Sequence, residues 1–258
     1  MTFFTLPYMP DRSKKPRENG LTMVMDKGLS TREAENFCES HAGYTDIVKF
    51  GFGTALITHN LEEKIKIYRE ANITPYFGGT LFEIFIIRDK FDDYMRLLDR
   101  YKMEMAEVSD GSMELDHEKK LAFIRKLAQQ TTVLSEVGSK KAGVVIPHEV
   151  WIKNMKTELE AGAWKVIAEA RESGTIGIFK SDGTADKELI QDIMKHVDTK
   201  NILWEAPNKN QQVYFIKLVG SNVNLGNIAP NEILSLEALR LGLRGDTFFQ
   251  FLPDDLKQ

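Results

Sequence analysis

The apolar residues of this chain gather into short segments, and each segment ends in charge or in glycine. Eight such segments occupy residues 21–25, 46–48, 73–77, 105–108, 132–135, 165–168, 202–204 and 223–225. They have the length of β-strands, and the stretches between them have the apolar periodicity of helices. Alternating strands and helices, with polar groups at the carboxyl ends of the strands, predict an α/β fold, the (β/α)8 or TIM barrel. The active site of such a barrel lies on the face where these polar groups gather.

The helical segments and the length of the chain support this prediction. In residues 116–130, Leu121, Ile124 and Leu127 fall on one helical face, and residues 186–196 show similar spacing. A barrel typically needs about 250 residues, so the 258 residues of this chain predict a single domain over residues 1–258. Residues 1–19 carry three prolines among basic residues, which predicts an extended N-terminal arm.

Composition narrows the class of protein further. The formal net charge of −4 and the lack of a dense Lys/Arg stripe argue against a nucleic-acid partner. No apolar run approaches the roughly 20 residues that span a bilayer, and the first residues lack the pattern of a signal peptide. The lone cysteine, Cys38, cannot form an internal disulfide and fits a reducing compartment. We therefore expect a cytoplasmic protein with neither a nucleic-acid nor a membrane partner.

The predicted strand ends carry the candidate chemistry. The acidic residues there are Asp26, Glu107, Asp110, Glu136, Glu169 and Glu205, and the basic residues are Lys27, Lys49, Lys140 and Arg171. In a barrel these residues surround one rim, although they are far apart in the sequence. Carboxylate oxygens suit a hard divalent cation such as Mg²⁺, while Lys and Arg hold phosphate or carboxylate groups. The five histidines include no pair with ligand spacing, which disfavours a zinc site.

Two further segments have the residues to bind an anion. Arg171 is followed by Ser173 and by small residues, a combination that can surround an oxyanion. Gly226 and Asn227 follow the predicted eighth strand, where barrels often bind phosphate.

Taken together, the motifs at the strand ends resemble the phosphosulfolactate synthase family. The resemblance lies in residues 15–29 (KPRENGLTMVMDKGL), 49–51 (KFG), 107–111 (EVSDG), 136–138 (EVG), 169–174 (EARESG), 204–207 (WEAP) and 224–227 (NLGN). It runs from about residue 15 to the end of the chain. The resemblance implies a (β/α)8 barrel that adds sulfite to phosphoenolpyruvate with Mg²⁺, giving 2-phospho-3-sulfolactate. In methanogens this reaction begins coenzyme M synthesis, and the family also resembles a plant heat-stress-associated protein.

The resemblance also implies roles for particular residues. Asp26 and Lys27 are catalytic candidates from the strand ends, Lys27 being also a candidate for binding an anion, and the general acid of the family maps to Lys140, with Lys141 as the alternative register. A lysine suits this role if neighbouring cations and desolvation lower its pKa towards neutrality. The expected metal ligands are Glu107, Glu136 and Glu169, and the expected substrate-binding residues are Lys49, Arg171, Ser173, Gly226 and Asn227.

Three functions from different classes stay open at this point. The favoured one is Mg²⁺-dependent addition of sulfite to phosphoenolpyruvate by a homo-oligomer whose partners are small anionic substrates. The second is a class I aldolase-like enzyme, in which Lys49 or Lys165 forms a Schiff base with a phosphorylated substrate. The third is a non-catalytic, stress-associated barrel protein.

Overall fold

Eight parallel strands close into a barrel in the computed structural model, which describes residues 6–141 and 143–257. The strands are β1 (Thr22–Asp26), β2 (Ile47–Phe50), β3 (Thr74–Phe77), β4 (Met105–Val108), β5 (Thr132–Val137), β6 (Lys165–Ala168), β7 (Ile202–Glu205) and β8 (Leu225–Ile228). Each strand pairs with the next along the chain, and β8 pairs with β1. The predicted (β/α)8 fold is confirmed.

Helices surround this barrel and separate consecutive strands. They are α1 (Thr31–His41), α2 (Leu61–Glu70), α3 (Gly79–Ile86), α4 (Phe91–Arg100), α5 (His117–Leu127), α6 (His148–Glu160), α7 (Lys187–His196), α8 (Lys209–Val219) and α9 (Ile233–Arg240). Two of the predicted helices begin at carboxylate caps, because the side chains of Asp116 and Asp186 accept the free N–H groups of the first turn. None of the helices in the described part of the chain is long and apolar enough to cross a membrane.

The strand bounds differ from the sequence prediction mainly at β8. The prediction placed this strand at residues 223–225, whereas the structure places it at Leu225–Ile228. Asn224 precedes the strand, and its side chain accepts the N–H of Leu21 and donates to the carbonyl of Ile202. Gly226 contributes no apolar side chain, so the apolar signal ended before the strand did. Gly226 and Asn227 therefore lie within β8 rather than in a loop after it.

The interior of the barrel changes from apolar to charged along the strands. An apolar layer fills the centre and consists of Leu21, Met23, Ile47, Tyr76, Met105, Leu134, Ile167 and Leu203. Alternate strand residues face the same side, so the position two residues after an interior residue also faces the interior. In five strands that position carries Lys49, Glu107, Glu136, Glu169 or Glu205. The apolar layer thus supports a charged layer at the carboxyl ends of the strands.

The N-terminal arm crosses the opposite end of the barrel. Its described residues, 6–19, form neither helix nor strand, and residues 1–5 lie outside the described part of the chain. Arg12 pairs with Glu237 at 2.9 Å, and Arg17 pairs with Asp46 at 2.9 Å. These contacts join the arm to α9 and to the residue just before β2.

Candidate active site

A cavity of about 240 Å³ opens at the carboxyl ends of the strands. Its lining residues are Met25, Lys49, Phe52, Gly78, Thr80, Ser112, Glu136, Lys140, Glu169, Arg171, Glu172, Glu205 and Asn227. We call this cavity the mouth pocket. Its position agrees with the rule that barrel enzymes carry their active site on this face.

Lys49 lies at the bottom of the mouth pocket among three carboxylates. Its Nζ is 3.1 Å from Glu107, 3.3 Å from Glu205 and 3.6 Å from Glu136. Burial lowers the pKa of Lys49, but Glu107, Glu205 and Glu136 outweigh burial and raise it well above its usual value. Lys49 is therefore a fixed cation that holds these acidic side chains together.

Glu107 is engaged on both of its oxygens by the protein itself. Oε2 accepts the hydroxyl of Tyr76 at 2.6 Å, and Oε1 accepts the N–H of Gly79 at 2.6 Å. Lys49 lies 3.1 Å from Oε1. Glu107 is fully buried and does not line the mouth pocket. These contacts leave it little free capacity to coordinate a metal.

Lys140 projects into the mouth pocket from the loop after β5. Its Nζ lies 2.5 Å from Glu136, 3.6 Å from Glu83 and 3.7 Å from Glu169. Burial lowers the pKa of Lys140, but Glu136 and Glu169 outweigh burial, so the pKa is raised. The expectation of a lowered pKa is wrong for this structure, because the nearest groups are carboxylates. Lys141 points elsewhere and lies 3.4 Å from Glu114 at the surface.

Three carboxylates have the geometry to hold a metal ion. Glu136, Glu169 and Glu205 each place an oxygen within 4.8 Å of the others, and all three are buried. The Oε2 atoms of Glu136 and Glu169 accept no hydrogen bond, although Lys49 lies 3.6 Å from the first and Lys140 lies 3.7 Å from the second. Buried carboxylate oxygens without a donor are costly, and a hard cation such as Mg²⁺ would satisfy them. Glu205 thus takes the place predicted for Glu107 in this set.

The pKa values of these carboxylates differ in direction. Burial raises the pKa of Glu169, and the charges of Glu136 and Glu205 raise it further. Burial also raises the pKa of Glu205. The charge of Lys49 lowers this pKa, and the charge of Glu136 raises it. Burial acts in the same direction on Glu136, but Lys140 and Lys49 outweigh it and hold its pKa below its usual range. With every carboxylate ionised the cluster would carry more negative charge than its lysines balance, and the raised pKa values of Glu169 and Glu205 reflect that excess.

Two polar residues that the sequence analysis did not single out complete this cluster. Ser109 Oγ lies 2.5 Å from Glu83 and 2.6 Å from Glu136, and Lys140 donates to it at 3.3 Å. Glu83 also accepts the N–H of Ser112 at 2.9 Å. Glu83 lies on α3 rather than at a strand end, so the strand-end pattern could not identify it. Ser109 belongs to the motif at residues 107–111 and was available to that reasoning.

Asp26 does not join the mouth pocket. Its side chain faces α2, where Oδ2 accepts the hydroxyl of Tyr68 at 2.8 Å and lies 2.6 Å from Lys64 Nζ. Its Oδ1 accepts the N–H groups of Gly28 and Leu29, both at 2.8 Å. These contacts fix the loop after β1 to α2 and make the predicted catalytic role of Asp26 inconsistent with its position.

The predicted cations and hydroxyl at the rim lie in different settings. Arg171 lines the pocket. Its guanidinium donates to the carbonyl of Lys140 at 3.2 Å, and its backbone N–H donates to the side chain of Glu169 at 2.5 Å. Lys27 is half exposed and pairs with Glu172 across the rim. Ser173 is exposed and contacts Thr175 at 2.8 Å, outside the pocket lining.

The two predicted substrate-binding residues of β8, Gly226 and Asn227, face different surroundings. Asn227 lines the pocket and has a positive φ of 60°, whereas Gly226 faces the barrel interior. A Cβ on Gly226 would lie 2.8 Å from Met23 Cε and 3.2 Å from Leu203. The absence of a side chain at Gly226 is therefore needed for packing, and its predicted contact with phosphate is inconsistent with this orientation.

The fold and the site define a (β/α)8-barrel enzyme with a buried acidic centre, into which Lys140 projects. The acidic centre consists of Glu83, Glu107, Glu136, Glu169 and Glu205. The family model for (2R)-phospho-3-sulfolactate synthase (ComA) matches residues 10–246, so the chain belongs to this family. It is 42% identical over 244 residues to the phosphosulfolactate synthase of Bacillus subtilis, covering 93% of this chain and 97% of that protein. Against the phosphosulfolactate synthase of Methanothermobacter thermautotrophicus it is 41% identical over 244 residues, covering 92% and 95%. The family and the enzyme class predicted from the motifs are confirmed.

Solved structures with the same architecture are more distant. The 3-hexulose-6-phosphate synthase of Salmonella typhimurium superposes with a TM-score of 0.56 at 15% identity, covering 87% of this chain and 100% of that one. A 2,3-dimethylmalate lyase superposes with a TM-score of 0.51 at 10% identity, covering 83% and 75%. At these identities the likeness concerns the fold alone.

Proposed function

We propose that this enzyme adds sulfite to phosphoenolpyruvate in the presence of Mg²⁺ and forms (2R)-2-O-phospho-3-sulfolactate. The observation that carries the proposal is the pairing of Lys140 with buried, incompletely bonded carboxylates inside one pocket. The family membership and the names of the relatives support the same reaction.

Glu136, Glu169 and Glu205 are the residues that would hold the metal, because their oxygens converge and two of these oxygens lack donors. A bound Mg²⁺ would supply positive charge that stabilises the negative charge developing on the substrate carboxylate. Lys49 contributes a permanent positive charge next to Glu205 and Glu136. It keeps these side chains close together and positioned towards the pocket.

The substrate anions require cations that the carboxylates have not already neutralised. The guanidinium of Arg171 borders the pocket and donates to the carbonyl of Lys140, and it forms no ion pair with a carboxylate in the described part of the chain. We propose that Arg171 and Asn227 orient the phosphate or the incoming sulfite. A guanidinium suits both anions because its N–H groups match two oxygens at once.

Lys140 is the proposed general acid. Sulfite forms a C–S bond at the methylene carbon, and the adjacent carbon that bears the phosphate must then receive a proton. Lys140 is in the ammonium form that an acid requires, and Glu136 at 2.5 Å limits the positions its Nζ can take. The carboxylates of Glu136 and Glu169 raise its pKa and so weaken it as a proton donor, an effect that a cation bound to these carboxylates would offset. Proton transfer from a positioned side chain typically contributes about 10²–10⁴-fold to a rate.

The geometry does not favour the Schiff-base alternative. A Schiff base needs a neutral amine, whereas Lys49 lies among three carboxylates that raise its pKa. Lys165 begins β6 at the far end of the barrel, and its Nζ donates to the carbonyl of Lys200 at 2.7 Å. Neither lysine presents a free amine to the mouth pocket.

Incubation of the purified protein with phosphoenolpyruvate, sulfite and Mg²⁺ tests the proposal, with the product followed by phosphorus NMR. We expect loss of the enol phosphate signal only when sulfite, metal and protein are all present. A keto substrate with borohydride provides the contrasting assay, because an aldolase-like enzyme would be trapped covalently. Covalent trapping together with unchanged phosphoenolpyruvate would contradict the proposal.

A further inference from the structure

A further buried lysine, Lys120, lies behind the mouth pocket, on the outer side of the barrel. Lys120 belongs to α5 and is 1% exposed. Its Nζ donates to the carbonyl of Glu136 at 2.6 Å and to Asp110 at 2.8 Å, and it forms an ion pair with Glu158 at 2.9 Å. Its contacts therefore join one helix to a strand, a loop and a second helix.

One set of contacts fixes the backbone that carries a proposed metal ligand. Lys120 binds the carbonyl oxygen of Glu136 itself, while Ser135 in the preceding position donates to Glu158 at 2.6 Å. Glu158 is fully buried on α6 and is the ion-pair partner of Lys120. Lys120 and Glu158 thus hold two consecutive residues of β5 from behind. This arrangement sets where the side chain of Glu136 projects.

The other set of Lys120 contacts fixes the loop that packs against Lys140. Asp110 is tied to Lys120, and the next residue, Gly111, accepts the N–H of Lys140 at 2.9 Å. A Cβ on Gly111 would lie 3.1 Å from the side chain of Lys140 and 3.2 Å from Glu136 Oε1. The loop after β4 therefore packs directly against Lys140, and the position of this loop depends on the contact between Asp110 and Lys120.

We infer that Lys120 is a positioning residue that places both Glu136 and Lys140 from outside the pocket. Lys120 does not itself line the pocket, and it reaches the lining residue Glu136 only through that residue's backbone carbonyl. It therefore acts through Glu136 and Lys140. The part concerning Lys140 rests on the proposed function. The part concerning Glu136 requires only that the carboxylates bind a divalent cation.

The chain offers a matched control for a test of this role. Lys64 on α2 is also 1% exposed and pairs with a single carboxylate, Asp26, at 2.6 Å. That pair lies behind β1 and contacts no residue of the acidic centre. Removing either lysine leaves a buried carboxylate without its partner, which destabilises the fold. Only removal of Lys120 should also disturb the mouth pocket.

The experiment measures Mn²⁺ binding by electron paramagnetic resonance in wild-type protein, Lys120→Met and Lys64→Met, without substrate. Outer partners of metal ligands typically contribute about 10–100-fold to metal affinity, and we expect that loss in Lys120→Met alone. Thermal melting of each variant records the loss of stability that both should share. Wild-type Mn²⁺ affinity in folded Lys120→Met, or an equal loss in Lys64→Met, would overturn the inference.

Asp110→Asn separates the two parts and applies even if Lys120→Met does not fold. Asp110 is on a partly exposed loop, and its substitution should leave Mn²⁺ affinity unchanged while lowering kcat roughly 10- to 100-fold by displacing Lys140. KM for phosphoenolpyruvate should change little. An unchanged kcat in Asp110→Asn would overturn the part concerning Lys140. A wild-type protein that binds Mn²⁺ but does not turn over phosphoenolpyruvate would contradict the proposed function, and the Mn²⁺ comparison would still decide the role of Lys120.

Discussion

The two ends of the barrel solve the problem of buried charge in opposite ways. At the mouth, two lysines, Lys49 and Lys140, lie among five carboxylates, and two carboxylate oxygens have no hydrogen-bond partner. At the other end, three arginines, Arg12, Arg17 and Arg240, lie with two carboxylates, Glu237 and Asp46, and the third guanidinium binds backbone carbonyls.

Arg240 shows how the second end is arranged. Its terminal nitrogens donate to the carbonyl oxygens of Ser221, Val223 and Leu21, which lie around the junction of β8 and β1. Arg12 from the N-terminal arm adds a two-point ion pair with Glu237 at 2.9 and 3.1 Å. These bonds join the first and last strands, and the Nε of Arg240 is the one guanidinium nitrogen of that side chain without a hydrogen-bond partner.

The difference indicates which end is built for chemistry. At the arm end, Arg12 and Arg17 pair with carboxylates and Arg240 donates to backbone carbonyls, so the positive charge there is held mainly by acceptors of the protein itself. Negative charge at the mouth exceeds the available cations, and burial makes that excess costly unless a cation or protons offset it. At the mouth, a cation bound by Glu136, Glu169 and Glu205 would offset the buried negative charge.

The largest expected effect concerns the lysine that enters this acidic end. Lys140→Met should lower kcat by about 10²–10⁴-fold, the range for loss of general acid catalysis. KM for phosphoenolpyruvate should change less, because Arg171 and the proposed metal would still neutralise the substrate. Steady-state kinetics beside Lys141→Met provides the control, since Lys141 lies at the surface. Wild-type kcat in Lys140→Met would refute the acid assignment.

Substitution of the carboxylates should sharpen the assignment of the metal site. Glu205→Gln should weaken Mn²⁺ binding by more than the roughly 10–100-fold typical of outer partners, because it removes a proposed ligand. Glu107→Gln should have a smaller effect, since Tyr76 and Gly79 already occupy that carboxylate. Equilibrium titration with Mn²⁺ measures both. A larger loss in Glu107→Gln than in Glu205→Gln would restore the ligand set predicted from the sequence.

Substitution at the arm end should change stability and leave the chemistry intact. Arg12→Ala removes bonds to Glu237 and Asn222 and leaves Glu237 without its partner, which should cost about 1–3 kcal/mol of the free energy of unfolding. Denaturant unfolding measures this loss, and KM and kcat of the remaining folded enzyme should stay near wild type. A selective loss of kcat without a change in stability would contradict the division between the two ends.

The smallest expected effect on turnover is that of Asp26→Asn. Asp26 faces α2 and is bonded to Tyr68 and Lys64, so its substitution should lower stability rather than kcat. Kinetics measured on protein shown to be folded by circular dichroism will distinguish these outcomes. A fall in kcat comparable to that of Lys140→Met would show that Asp26 takes part in the reaction after all.

The strand pattern predicted the barrel because strand length and helical periodicity are local properties. It also placed Glu136, Glu169 and Lys49 at the correct end of the barrel. It could not decide which strand-end residues face inward, because that depends on register. Glu205 lies two residues after the interior residue Leu203, whereas Asp26 lies three residues after Met23 and therefore faces outward.

Residues on helices escaped the sequence analysis for a different reason. Glu83 and Lys120 reach the acidic centre or its backbone only because α3 and α5 pack against neighbouring strands. No spacing in the sequence records such a contact between distant elements. The wrong bounds predicted for β8 also have a physical cause. The apolar side-chain pattern stops at Gly226, whereas the strand continues to Ile228.

Location of a bound ion tests the central claim most directly. Crystals grown with Mn²⁺ and measured by anomalous diffraction should show one strong peak in the mouth pocket, within coordination distance of Glu136, Glu169 and Glu205. The Oε2 atoms of Glu136 and Glu169, which lack hydrogen-bond donors, should be among its ligands. A pocket without a peak at saturating Mn²⁺, or a peak held by other residues, would contradict the account.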